Sequence, residues 1–168
     1  MNYLWHYDSP LGPVTLGSNG ISLTGLWFDG QKHFGNTLSK ESQEVFLPVF
    51  HETARWLDLY FDGRDPGFTP SICISTTPFQ QSVLEILSRI PYGTTSTYGQ
   101  IASAVAKERG LSSMSAQAVG QAVGRNPVSL IIPCHRVVAS DGSLTGYAGG
   151  LWRKRELLLL EGISVPDP

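Results

Sequence analysis

Over residues 3–28, apolar and polar positions alternate in short runs separated by turn residues. Ser9-Pro10-Leu11-Gly12-Pro13 marks one reversal and Asn19-Gly20 another, so the pattern predicts antiparallel strands joined by hairpins. Residues 31–44 lack any period and read as loop. From Val45 to Phe61 the spacing changes. Phe46, Val49, Phe50, Ala54, Leu57 and Phe61 recur at helical intervals, and Asp62-Gly63-Arg64-Asp65-Pro66-Gly67 stops that helix. Ile72-Cys73-Ile74 reads as a short strand with Cys73 in the core. Thr76-Thr77-Pro78-Phe79 opens a second helix, with proline in its first turn. It runs to Ile90 and breaks at Pro91-Tyr92-Gly93.

Thr97 to Arg125 reads as helix, turn, helix. Thr97 with Gln100 three residues on is a capping-box pattern. Ile101, Ala104 and Val105 face inward, and Arg109-Gly110-Leu111-Ser112-Ser113 is the break. The following helix spans about Ser115 to Val123 and stops at Gly124, with Asn126-Pro127 beyond. Ala116, Val119 and Val123 form its apolar stripe. Gln117, Gln121 and Arg125 fall four apart on one polar face. Ala116, Ala118, Gly120, Ala122 and Gly124 make this helix small, so another backbone can approach closely. It lacks the bulky base-edge groups of a major-groove reader, which favours close groove insertion with phosphate contacts. Two packed helices with one wet face is the plainer alternative. Val128 to Val138 is an apolar run of strand type, interrupted by Cys134, His135 and Arg136. A final helix over 152–161 ends at Gly162.

The chain has 168 residues, enough for one domain or two small ones. The boundary falls near residue 75, where strands give way to helices. Hydrophobic residues are 41% and charged residues 15%, a globular composition. No run approaches the roughly 20 apolar residues of a membrane span, and residues 1–10 do not read as a leader. Two cysteines cannot build a disulfide framework, so reduced thiols in the cytoplasm are expected. The net charge of -2 argues, by itself, against a nucleic-acid partner. Its distribution is uneven, which reads either as chance solvated charge or as a positive face for phosphate. Residues 1–75 hold four basic against eight acidic side chains, whereas residues 76–155 hold eight basic against three acidic. The positive half carries the helix pair and suits phosphate.

A cysteine beside a histidine and an arginine differs from an inert core cysteine. Positive charge and a base lower the thiol pKa and supply the nucleophilic thiolate. Adjacent residues on a strand point to opposite faces, so Cys134 and His135 cooperate only if the backbone turns there or a water bridges them. In the last helix, Arg153, Lys154 and Arg155 occupy the first turn and Glu161 the last. Both arrangements oppose the helix dipole, by about 0.3–1 kcal/mol each. The basic cluster suits a phosphate partner, and Glu161 suits an imidazole such as His135. Residues 140–150 form a glycine-rich loop without the Lys-Ser/Thr ending of a phosphate-binding loop. It reads as a flexible pocket wall with Tyr147 as its large side chain. Cysteines and histidines nowhere cluster at metal spacing, so no metal or other cofactor is expected.

Pro133-Cys134-His135-Arg136-Val137, Gly124-Arg125-Asn126-Pro127, Ile90-Pro91-Tyr92-Gly93, Tyr147-Ala148-Gly149-Gly150 and Glu161-Gly162 resemble the O6-alkylguanine-DNA alkyltransferase family. These are the methylated-DNA–protein-cysteine methyltransferases. Residues 8–16 resemble the family's opening hairpin, so the likeness covers nearly the whole chain. The resemblance implies an α+β protein. An N-terminal antiparallel sheet with a helix, ribonuclease H-like, would occupy 1–75. A helical domain with a winged helix-turn-helix and the active site would occupy 76–168. It implies repair of O6-alkylguanine in double-stranded DNA by base flipping and one irreversible transfer to Cys134, with O4-alkylthymine left open as a second lesion.

On that resemblance His135 deprotonates Cys134 through a water, Glu161 orients His135, and Asn126 braces the turn before the active-site segment. Tyr98 rotates the nucleotide and donates a proton to the guanine. Val137, Tyr147, Ala148 and Pro127 line the base pocket. Thr97, Ser115, Ala116, Gln121, Arg125 and Arg136 meet DNA. The family's arginine finger falls on Gln117, which lacks charge and a planar fork, so weaker or slower duplex engagement is expected. A cytoplasmic monomer is implied, nucleoid-associated if bacterial, with cooperativity on DNA left open. Two rivals stand beside this reading. A Cys-His-Glu hydrolase would turn over repeatedly and need no helix pair. A non-repair lesion-binding or regulatory helix-turn-helix protein would need no Cys134 and, as a regulator, would need a sensor domain.

Overall fold

The computed structural model describes residues 2–166. It divides into two compact units: residues up to Ser75 with Pro127–Ser129, and Thr76–Asn126 with Leu130 onward. The first unit is built on strands β1 (Tyr3–Ser9), β2 (Gly12–Ser18) and β3 (Leu23–Phe28) in an antiparallel meander. The two-residue reversal at Pro10-Leu11 is held by the Ser9 hydroxyl, which accepts from the Leu11 amide and donates to the Gly12 carbonyl. The next connection is held by the Asn19 side chain, which accepts from the Ile21 and Ser22 amides. Turn chemistry thus sets the register. Val14, Leu16, Leu23, Leu26 and Phe28 are buried. Gly25 has no Cβ because the Trp27 ring lies where one would sit.

The helix α1 (Pro48–Phe61) buries Val49, Phe50, Trp56, Leu57 and Tyr60. It starts three residues later than the spacing predicts. Pro48 takes the first helical position, where its missing N–H costs nothing, and Phe46 turns away to pack on Trp5 at 5.0 Å between ring centroids. Three further differences from the sequence reading follow. Residues 43–44, read as loop, form a short strand β4 (Gln43–Glu44) parallel to β1, giving the order β3-β2-β1-β4. Ile72-Cys73-Ile74 makes only one bridge, from Leu23 to Ile72, and Cys73 is exposed. The segment lies at the margin, with its isoleucines half-buried and the thiol pointing outward. Residues 127–129, read as part of the second half, pack with the first unit, where Leu26 pairs with Val128.

The second unit holds α2 (Pro78–Ser88), α3 (Tyr98–Glu108), α4 (Ala116–Gly124) and α5 (Leu151–Leu160), with a parallel pair of β5 (Ser96–Thr97) and β6 (Val137–Val138). Each of the first three helices has a side-chain cap. Thr77 accepts from the Gln80 amide, Thr97 and Gln100 form a reciprocal capping box, and Ser115 accepts from the Ala118 amide. Such caps contribute about 1 kcal/mol each. Val83, Leu87, Ile101, Val105, Val119, Val123, Leu157 and Leu158 fill the core. Gln80 Nε2 donates to the Ala122 carbonyl, tying α2 to α4. Among the described residues no helix is long and apolar enough to cross a membrane.

Candidate active site

The predicted strand over 128–138 is not a strand. Leu130 takes a left-handed conformation, with φ 71°. The chain then winds into one turn of 3-10 helix over Cys134–Arg136 and becomes extended again only at Val137. That turn takes the two neighbours off opposite faces of a strand and leaves Cys134, His135 and Arg136 all buried. Asn126 braces it from before α5, its Nδ2 donating to the Ile132 carbonyl at 2.7 Å. The same side chain hydrogen-bonds the Cys134 sulfur.

Glu161, capping the C-terminus of α5, is the junction of the site. His135 Nε2 lies 2.5 Å from Oε2, Arg136 Nε donates to Oε1 at 2.7 Å, and the Gly93 amide donates to Oε1 at 2.9 Å. Gly93 presents that amide from a left-handed turn, φ 75°, a conformation that suits glycine. Burial raises the Glu161 carboxyl, but its bonds to His135, Arg136 and Gly93 outweigh that and hold it down at about 2. It is therefore a carboxylate, able only to accept. His135 is pushed down from its ordinary value chiefly by burial, and further by the charges of Arg136 and Lys154, against the pull of Glu161. It is a neutral imidazole whose Nε2–H donates to the carboxylate, so Nδ1 is the basic nitrogen.

Burial also pushes the Cys134 thiol up. Asn126, the Lys154 charge and the backbone amides of Cys134 and His135 pull the other way. At rest the sulfur is a thiol, and a base is required to activate it. Tyr98, the first residue of α3, points its hydroxyl at the glycine-rich loop and donates to the Thr145 carbonyl at 2.8 Å. Val137 is fully buried, while Tyr147 and Ala148 are half-buried in the loop. Pro127 is buried in the first unit, its carbonyl accepting from the Leu26 amide. On α4, Ser115, Ala116, Gln117, Gln121 and Arg125 are exposed along one side, and Thr97 is half-buried as the α3 cap.

Two expectations are corrected. Arg136, assigned to DNA, is 7% exposed and points inward, its guanidinium held by Glu161 and by the Ile90 carbonyl at 2.8 Å. Lys154, assigned to a phosphate-facing cluster, is fully buried, and its Nζ donates to the Thr145 and Gly146 carbonyls. Of its neighbours, Arg153 donates to the Gly149 carbonyl and Arg155 to the Pro166 carbonyl. The basic surplus of the second unit is therefore smaller at the surface than in the sequence. The signal for Lys154 was available, since 154, 157, 158 and 161 are spaced as one helical stripe and three of them are Leu157, Leu158 and Glu161. Gly93 was a missed contributor too, and its signal was the Pro-Tyr-Gly turn.

Residues 78–163 match the model of the 6-O-methylguanine DNA methyltransferase DNA binding domain, and residues 3–72 match the ribonuclease-like domain of the same proteins. The chain belongs to the 6-O-methylguanine DNA methyltransferase family. A methylated-DNA–protein-cysteine methyltransferase of Methanosarcina barkeri is 43% identical over 92% of this chain and 93% of its own. One from Mycobacterium tuberculosis is 40% identical over 96% and 94%. Among solved structures, a Mycobacterium tuberculosis OGT in complex with DNA superposes with a TM-score of 0.81 at 39% identity, over 95% of this chain and 92% of that one. An O6-methylguanine-DNA methyltransferase from Pyrococcus kodakaraensis gives 0.64 at 28% identity, over 97% and 100%. The α+β architecture described above is that of the family.

Proposed function

We propose that this methyltransferase-family chain repairs O6-alkylguanine in DNA by moving the alkyl group once, irreversibly, to Cys134. The observation that carries the reading is the buried Cys134 thiol followed in sequence by a neutral His135 that is hydrogen-bonded to the ionised Glu161, all within the unit that matches the family's DNA binding domain. His135 Nδ1 takes the thiol proton, through a water. Glu161 fixes the tautomer and stabilises the imidazolium that results, the role a buried carboxylate plays in other nucleophile–histidine pairs. The thiolate attacks the alkyl carbon, a C–S bond forms, and the C–O bond breaks with its electron pair going to the guanine. The leaving guanine needs a proton.

Tyr98 supplies that proton. Its hydroxyl is engaged by the Thr145 carbonyl at rest, so the incoming base has to exchange for that acceptor. The target lies inside the stack and has to be flipped out. Val137, Tyr147 and Ala148 then wall the base, with Pro127 next in sequence to the bracing Asn126. Ser115, Ala116, Gln117, Gln121 and Arg125 on α4, and Thr97 at the start of α3, meet the duplex, while Arg136 holds Glu161. The thioether does not hydrolyse, so each molecule acts once. A hydrolase of the same Cys-His-Glu type would turn over. Intact-mass spectrometry after mixing with a duplex containing one O6-methylguanine separates the two. The expected result is one added methylene unit per molecule, mapped to Cys134. Unmodified, folded protein after complete incubation, or multiple turnovers, refutes the proposal.

A further inference from the structure

Lys154 is the odd charge of this unit. Its side chain is fully buried in the first turn of α5, a poor place for a cation because the helix dipole is positive there. Among the described residues it has no carboxylate partner. Arg136, the other buried basic side chain of the site, has Glu161. Among the described residues the Lys154 ammonium meets the Thr145 and Gly146 carbonyls, at 3.2 and 3.1 Å, and the face of the Tyr98 ring at 5.8 Å. Dipoles of this kind compensate a buried ion only in part, and an ammonium can otherwise be replaced by an apolar side chain at little cost. The helix that carries it, α5, packs against the 3-10 turn that begins at Cys134, so ionisation of that thiol would create a negative charge in the same buried region.

We propose that Lys154 is a positioning residue whose ammonium is the resident counter-charge of the Cys134 thiolate, and that it pegs the Thr145–Gly146 backbone at the same time. This rests on Cys134 being the nucleophile. When the Cys134 proton passes to His135, the unpaired cation gains its partner, so the field that stabilises the thiolate exists before the reaction and needs no reorganisation. The coupling runs both ways. Lys154 pulls the Cys134 thiol down, and Cys134 pulls Lys154 up, although burial prevails and leaves Lys154 lowered to about 8. The other ionisable or charged groups around the pair are His135, Arg136 and Glu161, which form their own closed set, and Tyr98, whose hydroxyl shares the Thr145 carbonyl with Lys154.

The test follows the rate of Cys134 carboxamidomethylation by iodoacetamide against pH, read by peptide mass, in the full chain carrying Cys73→Ala. Lys154→Met should move the midpoint up by about one unit or more, a roughly tenfold loss of rate at neutral pH. Lys154→Arg, which keeps the charge, should keep the midpoint. An unchanged midpoint in Lys154→Met overturns the proposal, because a purely structural lysine would alter melting and not the profile. If Lys154→Met does not fold, the native lysine carries the test. NMR titration of its Cε methylene should show a lower midpoint in Cys134→Ser than in the native chain, and an unchanged one refutes the pairing. Iodoacetamide reads the thiolate without DNA. A shifted profile with no methyl transfer from a duplex would therefore sink the repair reading and keep the pairing. Methyl transfer with an unshifted profile would do the reverse.

Discussion

Cys73 and Cys134 lie in similar stretches of sequence, one between Ile72 and Ile74, the other after Ile131-Ile132-Pro133. Their surroundings are opposite. Cys73 is exposed at the edge of the first unit, held by one bridge and by its own amide bonded to the Leu23 carbonyl. Cys134 is 5% exposed, on a tight turn, with an amide side chain, a neutral histidine and a cation about it. The accessible thiol lies apart from the buried polar cluster, and the thiol within that cluster is hidden. Access to solvent and readiness to react are thus separate properties here. The second is created by neighbours drawn from α3, α5 and the loops between them, none of which sits next to Cys134 in sequence except His135.

The largest expected effect breaks the comparison outright. Cys134→Ser should abolish methyl transfer from an alkylated duplex, while Cys73→Ala should leave the transfer rate unchanged and stability within about 0.5 kcal/mol. Single-turnover transfer and thermal melting of the two variants check this, and any loss of transfer in Cys73→Ala would join the two sites.

Next in size is Glu161→Gln. It leaves Arg136 buried without its carboxylate, a loss of about 3–5 kcal/mol, or roughly 10 °C in Tm for a chain of this length. It also turns one of the two accepting oxygens into a donor, so the carboxylate can no longer hold His135 and Arg136 together, and transfer should slow beyond what destabilisation explains. The same residue sets an acid dependence. Its carboxyl sits at about 2 in the folded chain against an ordinary 4.5, so the folded state binds its proton less readily than the unfolded state does. The stability it contributes is complete above pH 4.5 and is lost as pH falls towards 2. Urea unfolding across that range should show the slope in the native chain and a flatter course in Glu161→Gln. Equal slopes would mean the carboxylate is not what links the two loops.

The smallest expected effect sharpens the comparison at the DNA side. Gln117→Arg on the exposed face of α4 adds a charge and a planar donor group, and should tighten duplex binding several-fold and steepen its salt dependence. Titration of a labelled duplex at two salt concentrations checks it, and unchanged affinity would remove Gln117 from the interface.

Much of this was legible in the chain. The hairpins over 3–28 are written in Ser9, Asn19 and the alternation around them. The caps Thr77, Thr97 and Ser115 mark the starts of three helices, because each effect is local to four residues. What was not legible depends on distant partners. Residues 128–138 have strand composition, and nothing within them announces the left-handed Leu130 or the 3-10 turn, which Asn126 and Glu161 hold from elsewhere. Arg136 and Lys154 were read as surface charges because basic residues are so rarely buried. Each is inside because another segment offers it acceptors: the Glu161 carboxylate and the Ile90 carbonyl for one, the Thr145 and Gly146 carbonyls for the other. β4 is two residues long and too short to show a period.

The Glu161 carboxylate has a consequence in the order of synthesis. Its partners precede it in the chain by 25, 26 and 68 residues. A chain made from its N-terminus at about 5–20 residues per second therefore delivers the cysteine and its histidine before the group that aligns them. In that interval Cys134 is an ordinary thiol with an unoriented neighbour. The docking of α5 brings Glu161 to His135 and Arg136, so this set of buried groups is complete only once the last helix has formed.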